Sequence, residues 1–313
     1  MGTLIGHVAP GFGFFLIGFW HLLNHLKQLA LKGPNNYKSY PWFPTNIRRL
    51  RHLELYLIML GTSYSVAMEL FIGPDRHQPL DPDGTIPSNH LHNFEHSSIS
   101  LTFFVYAFFG LALDKWASPK IPAQYDVLQF LGALAFGQQL LMFHLHSADH
   151  MGVEGQYHWL LQLVIFVSMS TTILGIAYPG SFVIAFTRSI SILFQGVWLM
   201  VMGFALWTPG LISKGCFMHV EEGHQVVRCD GNESLHRAKA LVNIQFSWFL
   251  ILLAVFAASF YIFIMKMYGE NNVEYSSMEL SHQEEDIEAL KIGGKYAETQ
   301  SFISNKAIDH MER

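Results

Sequence analysis

Eleven ionisable side chains in or beside apolar stretches carry the clearest chemical signal in this chain: His7, Glu69, His92, Glu95, His96, His144, His146, His150, Glu154, His158 and His236. A charge placed at the hydrocarbon centre costs about 2.5–3.5 kcal/mol on insertion scales, so such groups mark pairing, transport or chemistry. His92 and His96 stand four apart, as do Glu154 and His158, a spacing that stacks two side chains on one helical face. Imidazole suits zinc, copper, iron and nickel, and carboxylates extend the range toward manganese. A catalytic zinc typically has three protein ligands and an open position where water is acidified to near neutrality. The expectation is a divalent ion, zinc or another transition metal, held by a subset of His92, His96, His144, His146, His150, Glu154 and His158. Glu69 or Glu95 would be the general base, with His7 and His236 supporting the ligands from behind. Purely structural pairing and proton or ion relay are the competing readings of the same groups.

The elements that must position these residues are membrane-spanning helices. The chain is 51% hydrophobic and only 14% charged, with a mean hydropathy of +0.26, the profile of a polytopic membrane protein. About 20 helical residues cross the hydrocarbon, and runs of that order lie near 5–27, 51–73, 94–116, 125–147, 157–178, 182–206 and 238–266. Pro179-Gly180 divides 157–206 into two spans. The prediction is an all-α fold of about seven transmembrane helices occupying 1–268, followed at 269–313 by an acidic, disordered tail. Threading the seven spans through a bilayer brings all eleven residues to the same side. A net charge of -5 and the lack of a phosphate-cradling glycine loop exclude nucleic acid and nucleotide-driven chemistry. The first run lacks a basic n-region and a small-residue cleavage site, and reads as a retained helix.

Charge sets the expected orientation. Lys27, Lys32, Lys38, Arg48, Arg49 and Arg51 precede Glu54 with no intervening acid, and Lys115 and Lys120 fall on the same side. Basic loops stay cytosolic, so the N-terminus is expected to be lumenal or extracellular and the tail cytosolic. That places loop 207–237 outside with Cys216, Cys229 and the sequon at Asn232. A disulfide and an N-glycan fit that compartment, while reduced thiols or metal ligands are the other options for the cysteines. Glu69, among apolar residues near the end of the second span, is expected to pair with His7 or His96. Arg188, Gln138, Gln139, Gln195, Asn243 and Gln245 read as interhelical hydrogen-bonding groups. His21 and His25 read as interfacial residues.

A family resemblance rests on particular fragments. Gly6-His7 with Pro10-Gly11 and Gly18-Phe19-Trp20, the Glu69 segment, Glu95-His96, the run His144 to His158 with Leu160-Leu161, and Gln195-Gly196 with Trp198 and Gly203-Phe204 together resemble the transmembrane protein 45 family, also called domain of unknown function 716. The run from His144 to His158 is similar to its plant-type branch. The resemblance covers Gly6 to about Lys266 and implies a multi-pass endomembrane protein of the Golgi, endosome or vacuole, or of the plasma membrane. Animal relatives are associated with the Golgi, endosomes and lysosomes, and the plant branch with responses to infection.

The expected function is a lumen-facing His/carboxylate centre that binds a divalent metal, with metal-assisted hydrolysis of a lipid-like substrate as the reaction if the protein is an enzyme. Membrane lipids and a laterally arriving lipid-like substrate are the expected partners. A proton- or ion-coupled transporter is the alternative, set back by the few polar residues in the middles of the second, third and fifth spans. A third reading is a trafficking or defence adaptor whose acidic tail recruits cytosolic partners, which deletion after Lys266 would disable. Haem held by facing histidines is a fourth, revealed by a Soret band.

Overall fold

The computed structural model describes residues 3–74, 77–116, 121–145, 152–221 and 224–269. Two compact units divide the chain, Met1–Tyr261 and Ile262–Arg313, and the packing below is that of the first. Of the expected tail at 269–313, Gly269 ends the last helix and 270–313 lie outside the described residues.

Among the described residues, seven helices are long and apolar enough to cross a membrane. They contain α1 (Leu4–Lys32), α2 (Leu53–Ala67, within the span Arg48–Ile72), α3 (Leu91–Trp116, within the span Ser88–Trp116), α4 (Gln124–Leu145), α5 (Gly152–Ala177), α6 (Phe182–Trp207) and α7 (Gly231–Gly269). Local signals set their ends. The Thr3 hydroxyl caps α1 by accepting from the Gly6 N–H at 3.1 Å. Gly33, at φ 70°, ends it by returning its N–H to the Leu29 carbonyl. α2 runs on into a π-helical turn, Met68–Ile72, closed by the Gly73 N–H on the Met68 carbonyl at 2.7 Å. The Pro179-Gly180 turn separates α5 from α6, where Ser181 accepts from the Ile184 N–H.

Consecutive helices from α1 to α6 are neighbours, and α6 packs along α1 to close the circuit. That seam depends on small residues. A Cβ on Gly18 would fall 2.3 Å from the Leu193 nitrogen, and one on Gly196 would fall 2.3 Å from the Phe15 nitrogen. Without side chains there, two antiparallel backbones meet directly, the usual device for helix association where lipid supplies no hydrophobic drive. Leu161, Ile165, Ile192, Trp198, Leu199 and Met202 form the centre of the main core. α7 joins it through Phe246, whose ring meets Trp198 edge-on at 4.8 Å. Many outward side chains, such as Leu60, Val183 and Ile251, are apolar and exposed, as suits a surface solvated by acyl chains.

Helix count and class agree with the sequence reading, but several boundaries move. α1 continues to Lys32, α5 starts at Gly152 and α7 at Gly231. Apolar runs mark the hydrocarbon, whereas i→i+4 bonding carries a helix on through the interface. The 207–237 connection is consequently narrowed to the stretch between Trp207 and Gly231. It holds a 3₁₀ turn (Pro209–Leu211) and a hairpin of β1 (Cys216–Glu221) and β2 (His224–Cys229), the one departure from an all-α chain among the described residues. Cys216 and Cys229 face each other across the hairpin and form a disulfide.

Candidate functional site

The alternating direction of the helices brings the expected layer to one end of the bundle: the starts of α1, α3, α5 and α7 and the ends of α2, α4 and α6. Glu69 is 1% exposed. The π-helical turn carries it, and π-helical turns recur at functional sites. Its Oε2 accepts from Asn93 Nδ2 at 2.8 Å, and its Oε1 lies 3.4 Å from His96 Nδ1. The expected pairing with His96 is present, and Asn93 is a partner that sequence reasoning missed. His92 stacks edge-on near His96 at 6.3 Å, and Glu95 shares the same first turns of α3.

A second group gathers around His158, which is 2% exposed. Its Nδ1 lies 3.1 Å from the Glu154 carbonyl, one helical turn back. The His7 ring is 5.8 Å away and stacks on Trp207 at 4.5 Å, with its Nδ1 on the Thr3 carbonyl. His7 is therefore placed by α1 and α6. His144, near the end of α4, lies 3.3 Å from the Gln162 side-chain oxygen. His236 is exposed near the start of α7, and Asn232 is exposed in that helix's first turn. His146 and His150 lie outside the described residues. Among the described residues, no three histidines, cysteines or carboxylates stand close enough to hold one metal ion. The expected single centre divides there into Glu69–Asn93–His96 and the group around His158.

Beside His144 a groove of about 440 Å³ runs between α4 and α5. Leu140, Leu141, Trp159, Leu163 and Phe166 make its walls, and His144 and Gln162 are its polar residues. Leu141, Trp159, Leu163 and Phe166 are exposed, so the groove opens toward lipid. From Gly137 to His144 it spans about 10 Å of helix at 1.5 Å per residue.

The disulfide-closed hairpin packs on the start of α5. Val227 is buried in the main core beside Val153 and Tyr157. Arg228 donates from Nε to Glu221 Oε1 at 2.7 Å and from Nη2 to Oε2. That bonding holds the Glu221 carboxyl below its usual range, aided by the Arg228 charge against a small burial effect. Arg228 is raised in turn, first by Glu221 and also by the nearby Glu154. The hairpin thus sets the Arg228 charge near the layer's Glu154.

Sequence reasoning missed the polar cluster at the opposite end. Glu54, 4% exposed, accepts from His21 Nε2 at 2.7 Å, Trp20 Nε1 at 3.0 Å and the Phe43 backbone N–H at 2.9 Å. Arg188, 3% exposed, donates from Nη2 to Ser39 Oγ at 3.1 Å, the Tyr40 carbonyl at 3.0 Å and His25 Nε2 at 3.4 Å. A guanidinium cannot accept, so His25 Nε2 must be the acceptor. The proton then sits on His25 Nδ1, which donates to the Tyr37 oxygen at 2.7 Å. Burial pushes the Tyr37 phenol up, opposed by the Arg188 charge. His21 and His25 are thus buried members of a network that fastens segment 37–43 to α1, α2 and α6, correcting their reading as interfacial residues. The available signal was a lone acid in a basic stretch, an i,i+4 histidine pair and one arginine in an apolar span. All three lacked a partner in sequence.

Polar groups also occupy the middle of α5, where few were expected, and meet those of α6. Ser168 Oγ donates to Ser191 Oγ at 2.8 Å and accepts from Gln195 Nε2 at 2.7 Å. Ser191 reaches back to the Arg188 carbonyl at 2.9 Å. Gln156 and Tyr157 bond to Asn243 and Gln245 of α7, which supports the reading of those residues as interhelical ties.

Comparison with known proteins places the chain. The profile of a family of unknown function, DUF716, matches residues 125–262. The chain is similar to transmembrane epididymal protein 1A of Mus musculus, with 24% identity over 220 residues, 67% of this chain and 68% of that protein. Profile, transmembrane relative and seven membrane-length helices agree: the chain is a multi-pass membrane protein whose residues 125–262 match the DUF716 family.

Proposed function

We propose that the protein binds a lipid-like amphiphile from one leaflet, with the acyl chain in the α4–α5 groove and the polar head on the histidine and carboxylate layer. In this reading the layer faces the lumen or exterior and the chain after Gly269 faces the cytosol. The groove carries the proposal: apolar along its length, open to lipid, and bounded by His144 and Gln162. A carbonyl or phosphate oxygen arriving there meets an imidazole and an amide, with His158 and Glu154 one to two turns away on α5. Histidine near neutrality can give or take a proton at such a head group, the chemistry that lipid hydrolysis would need. The layer stands in the endomembrane or plasma membrane, where such lipids are present on the exoplasmic side.

The test is the lipid retained by the full chain, measured by native mass spectrometry. Leu163→Trp fills the groove without touching the core, and it should cut retained lipid about ten-fold, equivalent to about 1.4 kcal/mol, with the thermal midpoint unchanged. Equal retention by the variant would remove the groove reading. Loss of fatty-acid release in His144→Ala would make the protein a hydrolase, while recovery of intact lipid from the wild type would make it a binding protein. Elemental analysis tests the metal: a stoichiometric divalent ion lost in a His146→Ala, His150→Ala double variant supports it, and metal-free protein that still retains lipid removes it.

A second reading, a proton- or ion-coupled transporter, is favoured by the buried Ser168–Ser191–Gln195 bonds between α5 and α6, leading toward Arg188. Wild-type proteoliposomes would then dissipate a pH gradient and Gln195→Leu would slow the decay. A gradient that persists in wild-type vesicles as in empty ones rejects it.

A further inference from the structure

At the end that carries the basic residues, a cleft of about 200 Å³ lies between segment 38–41 and the start of α4, lined by Lys38, Ser39, Gln124, Tyr125, Asp126 and Gln129 among others. It is separate from the layer and groove described above. We propose that it is a binding site for a phosphorylated polyol, the chemistry shared by an inositol-type phospholipid head group and a free polyol phosphate.

The donors come first. Lys38 stands exposed at the cleft. The Ser39 hydroxyl lines it, accepting from the buried Arg188 guanidinium at 3.1 Å and bonding the Tyr37 phenol, so it ties that guanidinium to the cleft wall. The floor over that guanidinium is thin. Gly175 lines the cleft, and a Cβ there would lie 2.6 Å from Gln129 Nε2 and 3.4 Å from Arg188 Nη1. Lys38, Arg188 and the first amides of α4 all favour an anion. Glu54 behind Arg188 and Asp126 in the first turn of α4 offset part of that field.

The acceptors show that bare phosphate is not the whole ligand. Gln124 is 7% exposed, and its side-chain oxygen is buried with no hydrogen-bond partner among the described residues. Buried polar atoms are normally bonded, so this one calls for a donor. Asp126 adds a carboxylate that bonds hydroxyls and repels phosphate. A ligand with an anionic group for Lys38 and the first amides of α4 and hydroxyls for Gln124 and Asp126 satisfies both sets. The surroundings suit a membrane source: Lys32, Lys38, Arg48, Arg49, Arg51 and Lys115 all belong to this end, and basic pockets between spans are where phosphoinositide-type head groups settle.

The experiment uses the full chain in phospholipid-free detergent and follows its thermal midpoint by tryptophan fluorescence. The probes are dioctanoyl phosphatidylinositol, inositol 1-phosphate and dioctanoyl phosphatidylcholine. A ligand that binds only the folded state raises the midpoint saturably. In the Leu163→Trp background, where the groove is filled, phosphatidylinositol should do so and phosphatidylcholine should not, and adding Lys38→Glu should weaken the response about ten-fold with the ligand-free midpoint unchanged. Ser39→Ala should weaken it as well. A shift with inositol 1-phosphate as well assigns recognition to the head group alone; a shift with the lipid only assigns the membrane as the source. No shift with either, an equal shift with phosphatidylcholine, or a wild-type response from Lys38→Glu overturns the proposal. Leu163→Trp leaves this response intact, so failure here is distinguishable from failure of the groove.

Discussion

Glu54 shows what one buried carboxylate does in a membrane protein. Three donors from α1 and the segment before α2 converge on it, so its removal strands three polar groups at once. Breaking a buried charged pair typically costs about 3–5 kcal/mol. Glu54→Ala should therefore lower the thermal midpoint sharply and expose segment 37–43 to protease, while Glu54→Gln, which keeps an acceptor oxygen, should lose less. Glu69 has fewer ties, to Asn93 and His96, and Glu69→Gln should cost less stability than Glu54→Ala in the same assay. Sequence alone made Glu69 conspicuous because its neighbours are apolar. It hid Glu54, which lies among Arg51, His52 and the start of an apolar run, an ordinary setting for an exposed helix-end acid. Only the return of segment 37–43 over α1 buries it, and no local pattern encodes that return.

At the scale of elements, the α1–α6 seam and the hairpin make distinct predictions. Gly196→Ala puts a methyl group against the Phe15 backbone, where no side chain can rotate away. The cost should reach or exceed the about 1–3 kcal/mol usual for overpacking, read as a fall in thermal midpoint. Gly13→Ala on α1 meets nothing within 4 Å and should leave the midpoint unchanged. In the hairpin, Arg228 holds Glu221 below its ordinary range, so the pair contributes fully above the ordinary carboxylate value and is lost as pH falls through the lowered one. Protection of the 224–229 amides, taken relative to the intrinsic exchange rate at each pH, should fall below about pH 4, and Glu221→Gln should remove that dependence. The disulfide closes a loop with a sequence separation of 13, which constrains the unfolded chain by about 3 kcal/mol on the loop-entropy scale. A Cys216→Ser, Cys229→Ser variant should lose much of that stability. Apolar length and the Pro179-Gly180 break made the helices legible, and loop composition suggested the cystine. The strands were not legible, because Cys216–Glu221 and His224–Cys229 alternate too weakly to stand apart from a polar loop.

For the whole molecule, the gathering of distant histidines and acids at one end was legible because it needs only the number and alternating direction of the spans. Whether those groups touch was not, since it depends on helix rotation, and rotation is set by contacts such as Gly18 on Leu193. The orientation reading has a direct check. If the layer is lumenal, Asn232→Gln should remove a glycosidase-sensitive mobility shift, and protease added to sealed vesicles should leave that end intact while trimming the chain after Gly269. The closing of α1 against α6 also bears on how the protein is made. At roughly 5–20 residues per second, the ribosome needs about ten to thirty seconds after Gly18 emerges before Leu193 exists to cover it. Throughout that interval the first span must reside in the bilayer with its glycine face and its paired histidines awaiting a mate. A nascent chain arrested before Phe182 is therefore the species that chaperones and quality control should seize.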